Sequence, residues 1–305
     1  MGFLPDRALD HLRHMTETPD FSATRYRLDS EIGRGGMGIV YQAWDSQLDR
    51  RVALKVMDPG YAINPGDVIN QEAKLLAQLE HPGLAPVYDA GELPDGRVYY
   101  AMRLIHGQRL DQYLAHENLG HEQSLPARLR IFEKICEAVA FAHNRGVIHC
   151  DLKPQNIMVG EFGEVFVVDW GVARPIESGV TSTAGTPAYM APEQAPGGSL
   201  QLDARTDVFA LGRILLDLMP TSPPRPLHAV ARKASTPDPS GRFASVQALA
   251  ADVSLFLDGL PVSAYRESPI ERLARFWRHN QFLLLLLSAY LVVKFALFFL
   301  APTVK

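Results

Sequence analysis

The sequence predicts an α+β chain with a small β-rich lobe, a larger helical lobe and one C-terminal transmembrane helix. Three observations predict it. Residues 26 to 103 carry short apolar runs of strand type, broken by glycine and Asp/Arg turns. Residues 128 to 257 carry apolar stripes at helical spacing. From Phe282 onward the chain is almost purely apolar. With 305 residues, 47% hydrophobic and 21% charged, the composition is that of a globular protein with room for a sizeable core.

The elements follow in order. Residues 1–24 read as a polar N-terminal arm with a short helix over 6–15. The arm lacks the basic start and apolar run of a secretory signal. Asp6 stands where N-myristoylation after Gly2 needs Ser or Thr. A folded domain is expected over 25–260. Its strands fall at 26–32, 39–44, 51–57, 84–90 and 98–103, the last two joined by a Pro94-Asp95-Gly96 turn. A helix over 68–80 stops at His81-Pro82-Gly83. Further helices are expected over 128–144, 207–219, 227–234 and 243–257. A basic juxtamembrane segment at 261–281 and a transmembrane helix at 282–301 complete the chain.

Charge and cysteine content exclude some classes. A net charge of -4 argues against a nucleic-acid partner, while local fields still permit an anionic small ligand. Two cysteines, Cys136 and Cys150, make no disulfide framework. Cys136 lies on an apolar stripe and reads as core. The histidines show no ligand spacing, so no zinc site is assigned.

Several short segments carry chemistry. Gly33, Gly35 and Gly38 sit between two strands, where bare backbone can approach a phosphate. Because Ile39 and Val40 continue as strand, this is not a dinucleotide-binding turn, which opens a helix. Taken alone, such a hairpin is weak evidence. Lys55 ends the apolar run Val52-Ala53-Leu54 and needs anions if it points inward; Glu72 and a phosphate are the partners expected. An edge lysine facing water is the competing reading of that motif alone. In His149-Cys150-Asp151-Leu152-Lys153-Pro154-Gln155-Asn156, a carboxylate can orient a hydroxyl and an amide oxygen can meet a metal. Lys153 can neutralise a transferred phosphate. The strand-like 165–168 runs into Asp169-Trp170-Gly171, where an acid at a strand end suits magnesium.

In this order, and followed by Gly185-Thr186-Pro187 and Ala191-Pro192-Glu193, these segments resemble the protein-kinase superfamily, specifically bacterial Hanks-type serine/threonine kinases. The resemblance covers 26 to 258. It implies a two-lobed protein kinase fold that uses ATP and Mg2+, with Mn2+ as an alternative, to phosphorylate Ser/Thr of protein substrates. It implies that Gly33, Gly35 and Gly38 cover the phosphates, that Lys55 binds them and pairs with Glu72, and that Asp151 is the base with Lys153 beside it. Asn156 and Asp169 are the implied metal ligands. Ile32, Val40, Ala53, Met102 (the gatekeeper) and Leu104 (on the hinge) belong to the implied ATP-binding set. Thr181, Ser182, Thr183 and Thr186 lie in the implied activation segment, and self-association for autophosphorylation is compatible with them. Asp207 is expected to hold the catalytic loop, and Arg242 to pair with Glu193.

Three features depart from the family. Cys150 replaces the arginine that usually receives an activation-loop phosphate, which puts control by that phosphate in doubt; Arg174 is the nearest basic substitute. Trp170 replaces the usual phenylalanine. Four prolines over 220–226 leave no room for the helix that usually follows.

The last segment, 282–300, matches the roughly 20 residues that cross a bilayer. Lys294 interrupts it, at a cost of about 3 kcal/mol on insertion scales, against many Leu, Val and Phe contributions of about -0.3 to -0.6 kcal/mol each. Arg266, Arg272, Arg275, Arg278 and Trp277 precede it, so the expectation is a single-pass protein with its kinase domain cytoplasmic and no external sensor domain. Two other functions compete with phosphorylation of proteins. One is a membrane-anchored pseudokinase scaffold that binds ATP without transfer, suggested by Cys150 and the shortened helical lobe. The other is a small-molecule kinase of related fold, against which Lys153 and the segment 185–193 speak.

Overall fold

The computed structural model describes residues 18–35, 38–57, 77–115, 124–171, 173–175, 186–195 and 202–300. The expected helix over 6–15, and Glu72, Thr181, Ser182 and Thr183, lie outside them. Of the expected helix over 68–80, Ala77 and Gln78 are described and are helical.

The first lobe is an antiparallel sheet of β1 (Tyr26–Gly35), β2 (Gly38–Asp45), β3 (Arg50–Met57), β4 (Val87–Glu92) and β5 (Val98–Arg103). Their spatial order is β1-β2-β3-β5-β4. The central β3 is buried from Val52 to Met57, and its pleat sorts those residues. Val52, Leu54 and Val56 pack with Phe21, Tyr26, Tyr41, Tyr99 and Leu93 in the lobe's own core. Met57, on the opposite face with Ala53 and Lys55, joins the core of the second lobe along with Val98 and Tyr100. Lys55 therefore points toward the junction of the lobes. The strand expected over 84–90 is displaced. Pro86 lacks an N–H for the ladder, so pairing begins at Val87, and Leu84 makes only a bridge to Val167.

The second lobe is helical around two small sheets. After β5 come β6 (Gly107–Arg109), α1 (Leu110–Ala115) and α2 (Leu125–Asn144); then β7 (Val147–Ile148), β8 (Ile157–Gly160), β9 (Val165–Val167) and β10 (Arg174–Pro175). The helices α3 (Ala204–Asp217), α4 (Arg225–Ala234), α5 (Val246–Leu257), α6 (Pro269–His279) and α7 (Gln281–Leu300) follow. Ser124 caps α2 by accepting from Ala127 N–H, and Gly146, at φ 76°, lets the chain turn out of it. The helix buries Leu129, Phe132, Ile135 and Val139 against α5 and β9. Such side chains contribute about 1.5–3 kcal/mol each. Residues 219–224 form no helix, and α3 packs directly on α4. The approach is close at Gly212, where a Cβ would stand 2.8 Å from Ala234 Cβ.

The lobe does not end at 260. Val262 is buried, and Ala264 and Tyr265 pack on the same core. Residues 261–281, expected only as a basic connection, contain α6, opened by a reciprocal cap between Ser268 and Glu271. The next helix, α7, has its described side chains at 282 and 285–295, all exposed. Among the described residues no helix is long and apolar enough to cross a membrane. The expected crossing over 282–301 therefore rests on sequence alone.

Candidate active site

The floor of the cleft is the loop from His149 to Asn156. It leaves β7 through Cys150, whose φ of 66° is left-handed, a conformation costing a non-glycine residue about 1–3 kcal/mol. Three buried contacts hold it. Asp207, in the first turn of α3, accepts from His149 N–H at 2.8 Å and Cys150 N–H at 3.0 Å. Gln194 Nε2 donates to the Cys150 carbonyl at 2.7 Å. Burial pushes the Asp207 carboxyl up, but the hydrogen bond and charge of His143, with His149, hold it below its ordinary value. His143 Nε2 lies 2.7 Å from Asp207.

Four groups converge on Asp151. Lys153 Nζ donates to Oδ2 at 2.7 Å, and Asn156 Nδ2 reaches Oδ2 at 3.2 Å and the Asp151 carbonyl at 2.8 Å. Thr186 donates its N–H to Oδ1 at 3.1 Å, with its hydroxyl at 3.5 Å. The carboxylate is thus fixed from both oxygens. Because the Asn156 amide nitrogen is committed to Asp151, its oxygen is the atom left to meet a cation.

Asp169 is brought alongside by the β8–β9 ladder. Ile157 opposes Val167, and Val168 N–H donates to the Asn156 carbonyl at 2.9 Å. Asp169 follows at φ 60°, with 44% of its side chain open. Lys55 Nζ meets its Oδ1 at 2.8 Å. Burial pushes Asp169 up, but the charge and hydrogen bond of Lys55, with His149 and Lys153, hold it below the usual carboxylate range. Trp170 is buried, packs tilted against His149 with ring centroids 4.5 Å apart, and donates its indole N–H to the Val167 carbonyl at 3.1 Å. That bond explains how the larger aromatic is accommodated with its polar atom satisfied.

The roof is the β1–β2 hairpin. Val40 opposes both Gly33 and Lys55, and Ala53 opposes Met102. Ile32 is half exposed, and Leu104 with Arg103 and His106 lines a pocket bounded by Phe162 and Phe166. At Gly38, φ is 148° and a Cβ would fall 2.1 Å from the Val56 carbonyl oxygen, so the fold itself demands glycine. Gly33 and Gly35 differ: a Cβ would meet nothing closer than Val40 at 4.0 Å, and nothing within 4 Å, respectively.

Beyond the cleft, Arg242 grips Glu193 through two bonds of 2.6 and 2.7 Å, both side chains being buried. Thr206 adds a hydroxyl to Glu193 at 3.1 Å. The segment carrying Thr186 is thereby tied to α3 and to the chain before α5. Sequence reasoning missed His143, Gln194 and Thr206. Gln194 was within reach, since it directly follows Ala191-Pro192-Glu193.

The donor set is one amide oxygen and one carboxylate. Hard oxygen ligands of this kind, completed by phosphate and water, suit magnesium. Among the described residues no group of three or more His, Cys, Asp or Glu is placed to hold a metal alone.

Comparison with known proteins agrees with this geometry. Residues 26–242 match the protein kinase domain. The chain therefore belongs to the protein kinase family. It is similar to the serine/threonine-protein kinase PknD of Chlamydia muridarum, 36% identical over 301 residues, 77% of this chain and 32% of that protein. It is also similar to a probable serine/threonine-protein kinase of Streptomyces coelicolor, 33% identical over 289 residues, 81% of this chain and 42% of that protein. PknD of Chlamydia trachomatis serovar L2b is 33% identical over 326 residues, 86% of this chain and 34% of that protein. The chain spans roughly a third to two fifths of the length of these relatives.

Proposed function

We propose that this chain transfers the γ-phosphate of ATP to Ser and Thr hydroxyls of protein substrates, at the cytoplasmic face of a membrane. The observation that carries the phosphotransfer reading is the Asp151 carboxylate, held at one oxygen by Lys153 and Asn156 and at the other by Thr186. A substrate hydroxyl beside Asp151 is oriented toward the phosphate, and its proton passes to the carboxylate as the new O–P bond forms and the bond to the departing ADP breaks. Lys153 balances charge on the transferred group. Lys55, fixed by Asp169, presents its ammonium to the phosphates. Magnesium held by Asn156 and Asp169 would neutralise phosphate charge there. A scaffold that binds ATP without transfer needs no such fixed base.

The test uses the full chain with labelled ATP, magnesium and a generic protein substrate, followed by phosphoamino-acid analysis. Label should appear on Ser or Thr. Asp151→Ala should bind ATP normally and transfer on the order of 10²–10⁴ more slowly. Unchanged transfer in that variant would sink the mechanism.

The membrane attachment is supported by the apolar sequence of 282–300 and the arginines before it. The full chain should float with vesicles after a high-salt wash.

A further inference from the structure

The helix α6 is oriented the wrong way round for a soluble protein. Ile270, Leu273, Phe276 and Trp277 recur at helical spacing on one face, and they are 80%, 65%, 56% and 63% exposed. Its charged back is what meets the domain. Glu271 accepts from the Tyr265 hydroxyl at 2.9 Å and lies 4.0 Å from Arg225 of α4. Arg275 is paired with Glu267 at 2.9 Å. A surface helix ordinarily buries its apolar stripe and turns its charges to water.

Nor does the helix hang on a loose tether. Asp252 of α5 is buried and accepts from Ser263 N–H, Ser263 Oγ and Ala264 N–H at 2.9, 2.9 and 3.0 Å. Val262 is buried beside it. The chain from α5 to α6 is therefore docked on the lobe, which fixes where α6 begins.

We propose that α6 lies in the headgroup layer of an anionic leaflet, its apolar face down, and holds the kinase domain at a fixed attitude to the lipid surface. This rests on the proposed membrane attachment and extends it from an anchor to a second, in-plane contact. Two features select lipid as the occupant. Residues 266–280 carry Arg266, Arg272, Arg275 and Arg278 against Glu267 and Glu271, a net positive segment in a chain of net charge -4. Arg272 is exposed beside the apolar face, where a basic side chain meets acidic headgroups. The chain also passes from α6 at His279 into the apolar sequence of α7 at Gln281, so the apolar face of α6 directly precedes the proposed anchor in the chain.

The experiment reconstitutes the full chain into vesicles of phosphatidylcholine with phosphatidylglycerol, containing lipids brominated near the headgroup end of their acyl chains. Trp277 emission is isolated by subtracting the Trp277→Phe protein, since Trp44 and Trp170 also emit. The expected result is a blue-shifted Trp277 signal that the bromolipids quench. The double variant Leu273→Glu, Phe276→Glu should lose the quenching, still float after a high-salt wash, and phosphorylate a soluble peptide as the parent does. If the parent floats but Trp277 is unquenched, the in-plane contact is overturned and the anchor stands. Disulfide pairing of Leu273→Cys chains would then identify the face as a seam between two copies. If Trp277 is quenched but high salt releases the chain, the in-plane contact stands and the anchor falls. Failure to bind anionic vesicles at low salt overturns both.

Discussion

The catalytic loop and the glycine hairpin face the same cleft from opposite sides, yet one is held by side chains and the other by backbone. Below, Asp207, His143 and Gln194 pin the loop through buried hydrogen bonds, and Asp151 has both oxygens engaged. Above, the β1–β2 hairpin relies on its ladder, and a Cβ at Gly33 or Gly35 would crowd none of the described residues. The difference separates two tasks. A group that must orient a hydroxyl gains from having no freedom left. A cover over phosphates gains from bare N–H groups and room for the ligand. Substitutions below should therefore change stability and rate together, whereas substitutions above should divide by position.

The largest stability effect should come from Arg242, beneath the floor. Its guanidinium is buried and bonds Glu193 twice, and it also reaches the carbonyls of Arg205, Thr236 and Pro237. Arg242→Ala leaves Glu193 charged and buried, at a cost of about 3–5 kcal/mol. Urea unfolding should show that loss, and a change under about 1 kcal/mol would mean the pair acts as a surface pair does.

Next is Asp207. Asparagine offers one acceptor oxygen to three donors, and its NH2 faces groups that are themselves donors. Leaving one buried N–H unpaired costs about 1–3 kcal/mol. The pH dependence carries a definite sign. Because the Asp207 carboxyl is held low, its contribution is full above the unfolded carboxylate value of about 3.9 and is lost as pH falls through the lower folded value. Stability of the parent should fall below about pH 4 more steeply than that of Asp207→Asn. Parallel curves would show that the carboxylate is not the titrating contributor.

These two residues also mark what could be read in the sequence. Lys55, Asp151, Asn156 and Asp169 each sit in a short motif whose chemistry is local, so they could be named from their neighbours. Glu193 and Arg242 are 49 residues apart, and only the family resemblance suggested their pairing. His143 carries no local signal, because its partner is chosen by how α2 packs near α3. The start of β4 differs from the apolar pattern because Pro86 has no N–H for the ladder, so pairing begins at Val87. Helix α6 is legible in Ser268-Pro269-Ile270-Glu271, a capping signature, although its arginines and Trp277 also fit the border of a membrane segment.

The two glycines sharpen the contrast within the roof. Gly38→Ala pushes a Cβ into the Val56 carbonyl and forces a strained φ, which should lower stability by about 1–3 kcal/mol. Among the described residues Gly35→Ala meets no atom within 4 Å beyond its chain neighbours, so its melting temperature should match the parent while its KM for ATP rises several-fold. Equal KM values for Gly35→Ala and parent would show that the hairpin tip does not approach the phosphates.

The smallest expected effect concerns phosphate on the activation segment, and it follows from what occupies the receiver's place. Cys150 is buried with Ile148 and Leu202 in a small apolar cluster. A phosphate of about -1.5 to -2 charges orders a loop by gaining guanidinium partners, and a thiol in the receiver's place is not one. The segment has other ties instead. Thr186 bonds Asp151, Gln194 joins the Cys150 carbonyl to Ala191 N–H, and Glu193 is held by Arg242 and Thr206. Phosphatase treatment of the purified enzyme should therefore change transfer by less than tenfold, about 1.4 kcal/mol in the balance between active and inactive forms. Thr181→Ala, Ser182→Ala and Thr183→Ala combined should behave like the treated parent. If treatment silences the enzyme, and Arg174→Ala silences it equally, the guanidinium of Arg174, directly after Ala173, has replaced the missing receiver, and the floor depends on charge as well as on packing.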